Sequence, residues 1–210
     1  MFKLLKKLAL VGLLVCLAAS TASADMTNLV KNGSFETGQA PGYFLVLSTG
    51  STAITDWQVV SGSIDYIGTC WTAAEGSRSI DLSGGSYGAL AIATALDTEA
   101  GKTYRLSFAM AGNPVGDPST KSLTVTVAGI SQDFTFDTTG KSVTNMGWTT
   151  KELVFTATGS TSLKFASNVS TCYGPALDDV KVVEVVPAPA AAMLGMLGLG
   201  LIGWVKRRMA

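Results

Sequence analysis

Lys121-Ser122-Leu123-Thr124-Val125-Thr126-Val127 is the stretch that decides the fold. Leu123, Val125 and Val127 fall on one side of an extended chain and the hydroxyl residues on the other, the period of two used by a half-buried strand. The same alternation runs outward in both directions. It recurs in Tyr104-Arg105-Leu106-Ser107-Phe108-Ala109-Met110, in Leu153-Val154-Phe155-Thr156-Ala157 and in Ser162-Leu163-Lys164-Phe165. Turn formers separate the runs: Ala100-Gly101-Lys102, Gly112-Asn113-Pro114, Thr139-Gly140 and Thr158-Gly159-Ser160. About ten short strands at this spacing, with no helical period between Leu29 and Val185, predict an all-β fold, a two-sheet antiparallel β-sandwich. Its predicted core is Phe35, Ile54, Trp57, Ile64, Ile80, Leu82, Leu106, Phe108, Val125, Phe134, Phe136, Trp148, Phe155, Phe165, Leu177 and Val180. Trp57 and Trp148 each open or end a strand beside apolar alternation, which assigns them to the core rather than to a binding platform.

Charge is unevenly placed along the 210 residues. Six of the fifteen basic residues sit at the ends, whereas all fifteen acids lie between Asp25 and Glu184. The interior therefore has nine cations against fifteen carboxylates, without the basic stripe that nucleic acid requires. Histidine is absent altogether, which removes Ser–His and Cys–His nucleophile pairs and His-rich zinc sites.

The two ends read as addresses. Lys3, Lys6 and Lys7 precede an apolar stretch from Leu8 to Ala19, and Ala22-Ser23-Ala24 supplies the small residues of a cleavage site. Residues 1–24 are thus a predicted signal peptide and helix, cut by signal peptidase between Ala24 and Asp25. Cys16 would make a lipoprotein site only with a small residue before it, and Val15 is bulky. At the other end, Val186-Pro187-Ala188-Pro189 breaks the last strand, an uncharged run from Ala190 to Val205 follows, and Lys206-Arg207-Arg208 closes it. Sixteen apolar residues are slightly fewer than the roughly 20 of a full span, yet suit a transmembrane helix with its cations held on the cytoplasmic side. This order resembles the PEP-CTERM sorting signal read by exosortases, membrane transpeptidase-like enzymes, with Ala188 where the motif's glutamate usually stands. The predicted organisation is a signal peptide over 1–24, a β-sandwich over 25–185 and a sorting tail over 186–210.

Motifs within the sandwich carry a second resemblance. Leu29-Val30-Lys31-Asn32-Gly33-Ser34-Phe35-Glu36 opens the domain, and Ile54-Thr55-Asp56-Trp57, Gly62-Ser63-Ile64-Asp65-Tyr66-Ile67 and Gly76-Ser77-Arg78-Ser79-Ile80-Asp81-Leu82 follow. Phe134-Thr135-Phe136-Asp137-Thr138-Thr139-Gly140, Asn145-Met146-Gly147-Trp148-Thr149-Thr150 and Tyr173-Gly174-Pro175-Ala176-Leu177-Asp178-Asp179-Val180 complete the series. In this order they resemble the choice-of-anchor C domain, whose members end in different anchoring signals. That domain is similar to a plant cell-wall family and, more distantly, to galactose-binding-like jelly rolls. In carbohydrate-binding jelly rolls the first and last strands pair and their acids often hold a structural calcium, so the resemblance implies one at Glu36 and Asp178. By alternation Asp178 shares a face with Val180 and Val182 and points inward; backbone N–H groups are the other way to satisfy it there.

Cys70 and Cys172 are the two cysteines that remain after signal cleavage, and an oxidising compartment favours their disulfide over two free thiols. A glycosidase would draw its paired carboxylates from Asp65, Glu75 and Asp81, but solvated or structural acids account for these as well. A sugar site is better supplied: Tyr66, Trp71 and Tyr173 can stack on pyranose faces while Asp65 and Arg78 bond hydroxyls. The same aromatics could instead shield the disulfide. The expected function is a non-catalytic, carbohydrate-binding-like surface domain that meets extracellular polysaccharide, either anchored to the envelope or released into the matrix. The alternative is a structural or adhesive matrix protein that binds another protein.

Overall fold

The computed structural model describes residues 27–85 and 87–186. The predicted signal helix and transmembrane helix lie outside them. Among the described residues eleven strands follow in order: β1 (Phe44–Ser48), β2 (Trp57–Ser61), β3 (Ser63–Ile67), β4 (Ser79–Asp81), β5 (Ala89–Ile92) and β6 (Thr103–Gly112). After these come β7 (Thr120–Val127), β8 (Ile130–Asp137), β9 (Thr149–Thr156), β10 (Leu163–Ser167) and β11 (Pro175–Glu184). They form a six-stranded sheet, ordered β1-β3-β4-β11-β6-β9, and a five-stranded sheet, ordered β2-β5-β10-β7-β8. Every ladder is antiparallel, so the fold is the two-sheet sandwich that alternation predicts.

Local chemistry sets the register. Val127 pairs with Ile130 across Ala128 and Gly129, whose φ values of 48° and 77° make a two-residue turn that matches strand twist. On β7 the buried residues alternate as read, with Leu123, Val125 and Val127 inward. A chain of aromatic rings spans the interior: Phe35 to Trp57 at 5.1 Å, Trp57 to Phe165 at 6.4 Å, and Phe165 to Phe108 at 5.2 Å. The predicted core is buried except for Phe134 and Trp148, which are partly buried at its margin.

One face assignment is corrected. Leu177 and Asp178 pair with Met110 and Ala109, but the next pair in register is Lys181 with Ser107. The bulge between them, with Asp179 at φ 47°, inserts a residue and reverses the parity of the strand. Leu177 and Val182 stay inward, while Asp178 turns to the outer face of the six-stranded sheet alongside Ala109. Gly33 seats this bulge: its carbonyl accepts from Val180 N at 2.9 Å, and a Cβ there would collide with the Val180 carbonyl.

Candidate functional site

The outer face of the six-stranded sheet is where the motif residues gather. A loop over residues 70–78 crosses it, held at both ends by carboxylates from distant parts of the chain. Glu36 accepts from Ser77 N at 2.8 Å, Ser77 Oγ at 2.8 Å and Arg78 N at 2.7 Å. Asp178 accepts from Ala74 N at 2.8 Å, Glu75 N at 3.0 Å and Asp179 N at 2.7 Å. Burial pushes the Asp178 carboxyl up to about 7, against the pull of these three N–H groups. Burial also raises Glu36, but its Ser77 and Arg78 donors outweigh that and hold it below the usual value. The two acids therefore cap one loop rather than share an ion. Three donors on each carboxylate take three of its about four lone-pair sites, which gives both acids a structural role without an ion.

Trp71 lies in this loop, buried, and donates from Nε1 to Ser79 Oγ at 2.8 Å. Trp148 Nε1 donates to Thr72 O at 2.9 Å, and Thr72 N to Val143 O, so a second loop braces the first. Tyr66 points the other way, into the core, and its hydroxyl donates to the Phe35 carbonyl. Arg78 Nη1 donates to Tyr66 Oη at 2.8 Å, with its guanidinium 5.6 Å from the ring centre. Tyr173 packs against Gly116. The structure thus corrects the expected stacking platform: Tyr66 and Trp71 have no free face, and Arg78 is engaged with Tyr66.

The cysteines are corrected too. Both are free thiols. Cys70 follows β3 beyond Ile67, whereas Cys172 precedes β11, whose Ala176 lies level with Asp81 and Asp65. They sit at opposite ends of the β3-β4-β11 ladder, far beyond the roughly 7 Å between Cα atoms that a disulfide allows.

Asp65 and Asp81 face each other directly across β3 and β4. Asp81 is fully buried and accepts from Asn113 Nδ2 at 2.9 Å, Ser83 N at 2.9 Å and Gly174 N at 3.0 Å. Burial pushes it up to about 8, with the Asp65 charge adding to the rise. Asp65 is half-buried and pushed up to about 6 by burial; its Oδ1 is enclosed without a donor, while Oδ2 reaches solvent. Beside this knot, Lys121 is fully buried and donates from Nζ to Gly116 O at 2.6 Å. Glu75 belongs to the clamped loop and joins neither acid.

The exposed apolar surface is one that sequence reasoning passed over. On edge strand β1, Phe44 and Val46 are 44% and 53% exposed, and Tyr43 just before them is 61% exposed. Val46 pairs with Asp65 and Phe44 with Ile67, so Phe44, Val46 and Asp65 share the outer face. The Tyr43 and Phe44 rings lie 5.7 Å apart, tilted by 52°. The signal is in the sequence: Phe44-Leu45-Val46-Leu47 is apolar on both sides, without the alternation seen in β7.

The chain is 33% identical over 171 residues, 78% of its length, to Halomucin of Haloquadratum walsbyi (strain DSM 16790 / HBSQ001), and the match spans 2% of that relative's length. Among solved structures it is similar to TmCBM61 in complex with beta-1,4-galactotriose, at 17% identity and a TM-score of 0.45, covering 76% of this chain and 99% of that one. It is likewise similar to a family 16 carbohydrate binding module, at 18% identity and a TM-score of 0.48, covering 75% of this chain and 100% of that one. With residues 28–183 matching the model described as "Protein of unknown function (DUF642)", the chain belongs to the DUF642 family.

Proposed function

We propose that this is an exported protein of the cell surface or extracellular matrix whose sandwich binds carbohydrate without acting on it. The observation that carries the reading is the exposed strip of Tyr43, Phe44 and Val46 beside Asp65. Sugars present an apolar face of C–H groups and a rim of hydroxyls. An open aromatic takes the first, and a carboxylate with a free oxygen takes the second. Immobilised glycans of extracellular polysaccharides should retain the protein, and Phe44→Ala should weaken that retention about tenfold while leaving the melting temperature unchanged. A protein that retains no glycan, or a Phe44→Ala variant that binds as before, overturns this reading. β1 is an edge strand among the described residues, which favours a second reading in which a protein partner adds a strand there.

In this proposal residues 25–185 form a choice-of-anchor C domain between a signal peptide and a PEP-CTERM-like sorting tail. Signal peptidase and an exosortase would process the two ends, and the membrane would hold the precursor through its apolar tail. The three-part order from Val186 to Arg208 supports this. Intact mass of the protein from its native cells should show a chain that begins at Asp25 and lacks everything beyond the Pro187–Pro189 region. A chain still ending in Met209-Ala210 would mark a plain membrane anchor.

A further inference from the structure

The segment from Asn28 to Asn32 alternates across two clefts. Asn28, Val30 and Asn32 line one; Leu29 and Lys31 line the other, together with Asp56 and the stretch that leads from Thr94 to Asp97. This second cleft has a volume of about 210 Å³. Its floor is apolar, made by buried Leu96 and partly buried Leu29, and its rim carries Lys31, Asp56 and Asp97. No ion pair or hydrogen bond links these three charged groups to each other or to other side chains among the described residues. Unpaired rim charges are ordinary on open surface. At the rim of an apolar-floored cleft, exposed Lys31 and Asp97 and half-buried Asp56 are donors and acceptors within reach of a ligand.

The walls are fixed from three directions. Leu29 N donates to Val182 O at 2.9 Å on β11. The Asn32 amide donates to Thr37 O at 2.9 Å and Thr55 O at 2.7 Å, and Trp57 Nε1 donates to Asn32 O at 3.0 Å. Those bonds tie the Lys31 wall to the turn that presents Asp56 at φ 67°. Ala93 N donates to Asp56 O at 2.8 Å, and Leu96 exchanges backbone bonds with Thr161. A cleft fixed in this way loses little freedom when a ligand enters, which is how a small ligand gains affinity from few contacts.

We propose that this cleft is a second carbohydrate site and holds one neutral pyranose ring. The inference deepens the carbohydrate reading above and rests on it. The volume lies below the about 300–1,000 Å³ of pockets for drug-sized ligands, so it suits one ring rather than a run of polymer. The ring's C–H face lies on Leu29 and Leu96. Its hydroxyls donate to the Asp56 and Asp97 carboxylates, and one oxygen accepts from the Lys31 ammonium. Two carboxylates against one ammonium discriminate against uronic acids, whose own charge would be repelled.

The test is an NMR titration of the full protein with methyl glycosides of glucose, galactose and mannose, and with glucuronic acid. At least one neutral glycoside should shift the Leu29 and Leu96 methyl signals, and glucuronic acid should shift them less. Asp97→Asn and Asp56→Asn, the latter tolerable at positive φ, should each weaken binding about tenfold with the melting temperature unchanged. Neutral glycosides that leave these methyls unmoved, or bind both variants as tightly as the wild type, overturn the proposal, as does a preference for glucuronic acid. If glycans are still retained through Phe44, the cleft inference alone has failed; if no glycan is retained at all, the carbohydrate reading has failed with it.

Discussion

Asp178→Ala should lower the unfolding free energy by about 3 kcal/mol, read from the denaturant midpoint at constant m-value. The substitution strands three backbone donors, those of Ala74, Glu75 and Asp179, on a face where Asp178 is fully buried. Each stranded donor costs about 1–3 kcal/mol where water cannot replace the partner, and relief from burying a carboxylate returns part of the sum. Asp178→Asn keeps one acceptor oxygen and should cost about half as much. Because Glu36 grips the other end of the same loop, Asp178→Ala and Glu36→Ala should combine to less than their sum. Strict additivity would show that the loop is not one unit.

Stability should also fall as the solution is made alkaline, the reverse of a protein held by surface ion pairs. Asp65, Asp178 and Asp81 have folded values raised by burial to about 6, 7 and 8. Between an unfolded value near 3.8 and those folded values, the native state binds protons that the unfolded chain has released. Stability is then complete below the unfolded value and lost as pH rises through each folded one. Glu36, held below its ordinary value, works in the opposite sense and loses its contribution as pH falls through that lowered value. The expected result is a maximum in mild acid and a progressive loss between pH 5 and pH 8. Asp81→Asn should flatten that slope, since the amide can meet Asn113 with its own N–H after Asn113 turns over. A wild-type profile that is flat or rises from pH 5 to pH 8 would refute this account.

Alternation read the strands and nearly all of the core because burial on one face is written into every second residue. It failed at Asp178 because parity is conserved only along an unbroken ladder, and one residue at positive φ reverses it. Tyr66 and Trp71 look available in sequence because an aromatic near a loop reads the same whether it faces water or is covered by a neighbouring segment. The cysteines show the same limit: a count of thiols contains no distance. The Phe44 strip left a trace in its two-sided apolar pattern, but only its place at the edge of the sheet shows which side stays open. The cleft had no local signature, since Lys31, Asp56 and Asp97 come from three separate segments.

β11 lies in the middle of the six-stranded sheet, between β4 and β6, although it is the last strand among the described residues. Until Pro175–Glu184 is in place, β1, β3 and β4 on one side have no ladder to β6 and β9 on the other. Asp178, the second grip on the 70–78 loop, arrives with the same strand. A growing chain therefore cannot complete this domain early, however long synthesis pauses. For the exported protein proposed above, that order keeps the sandwich open during passage and lets it close only once Pro175–Glu184 has crossed.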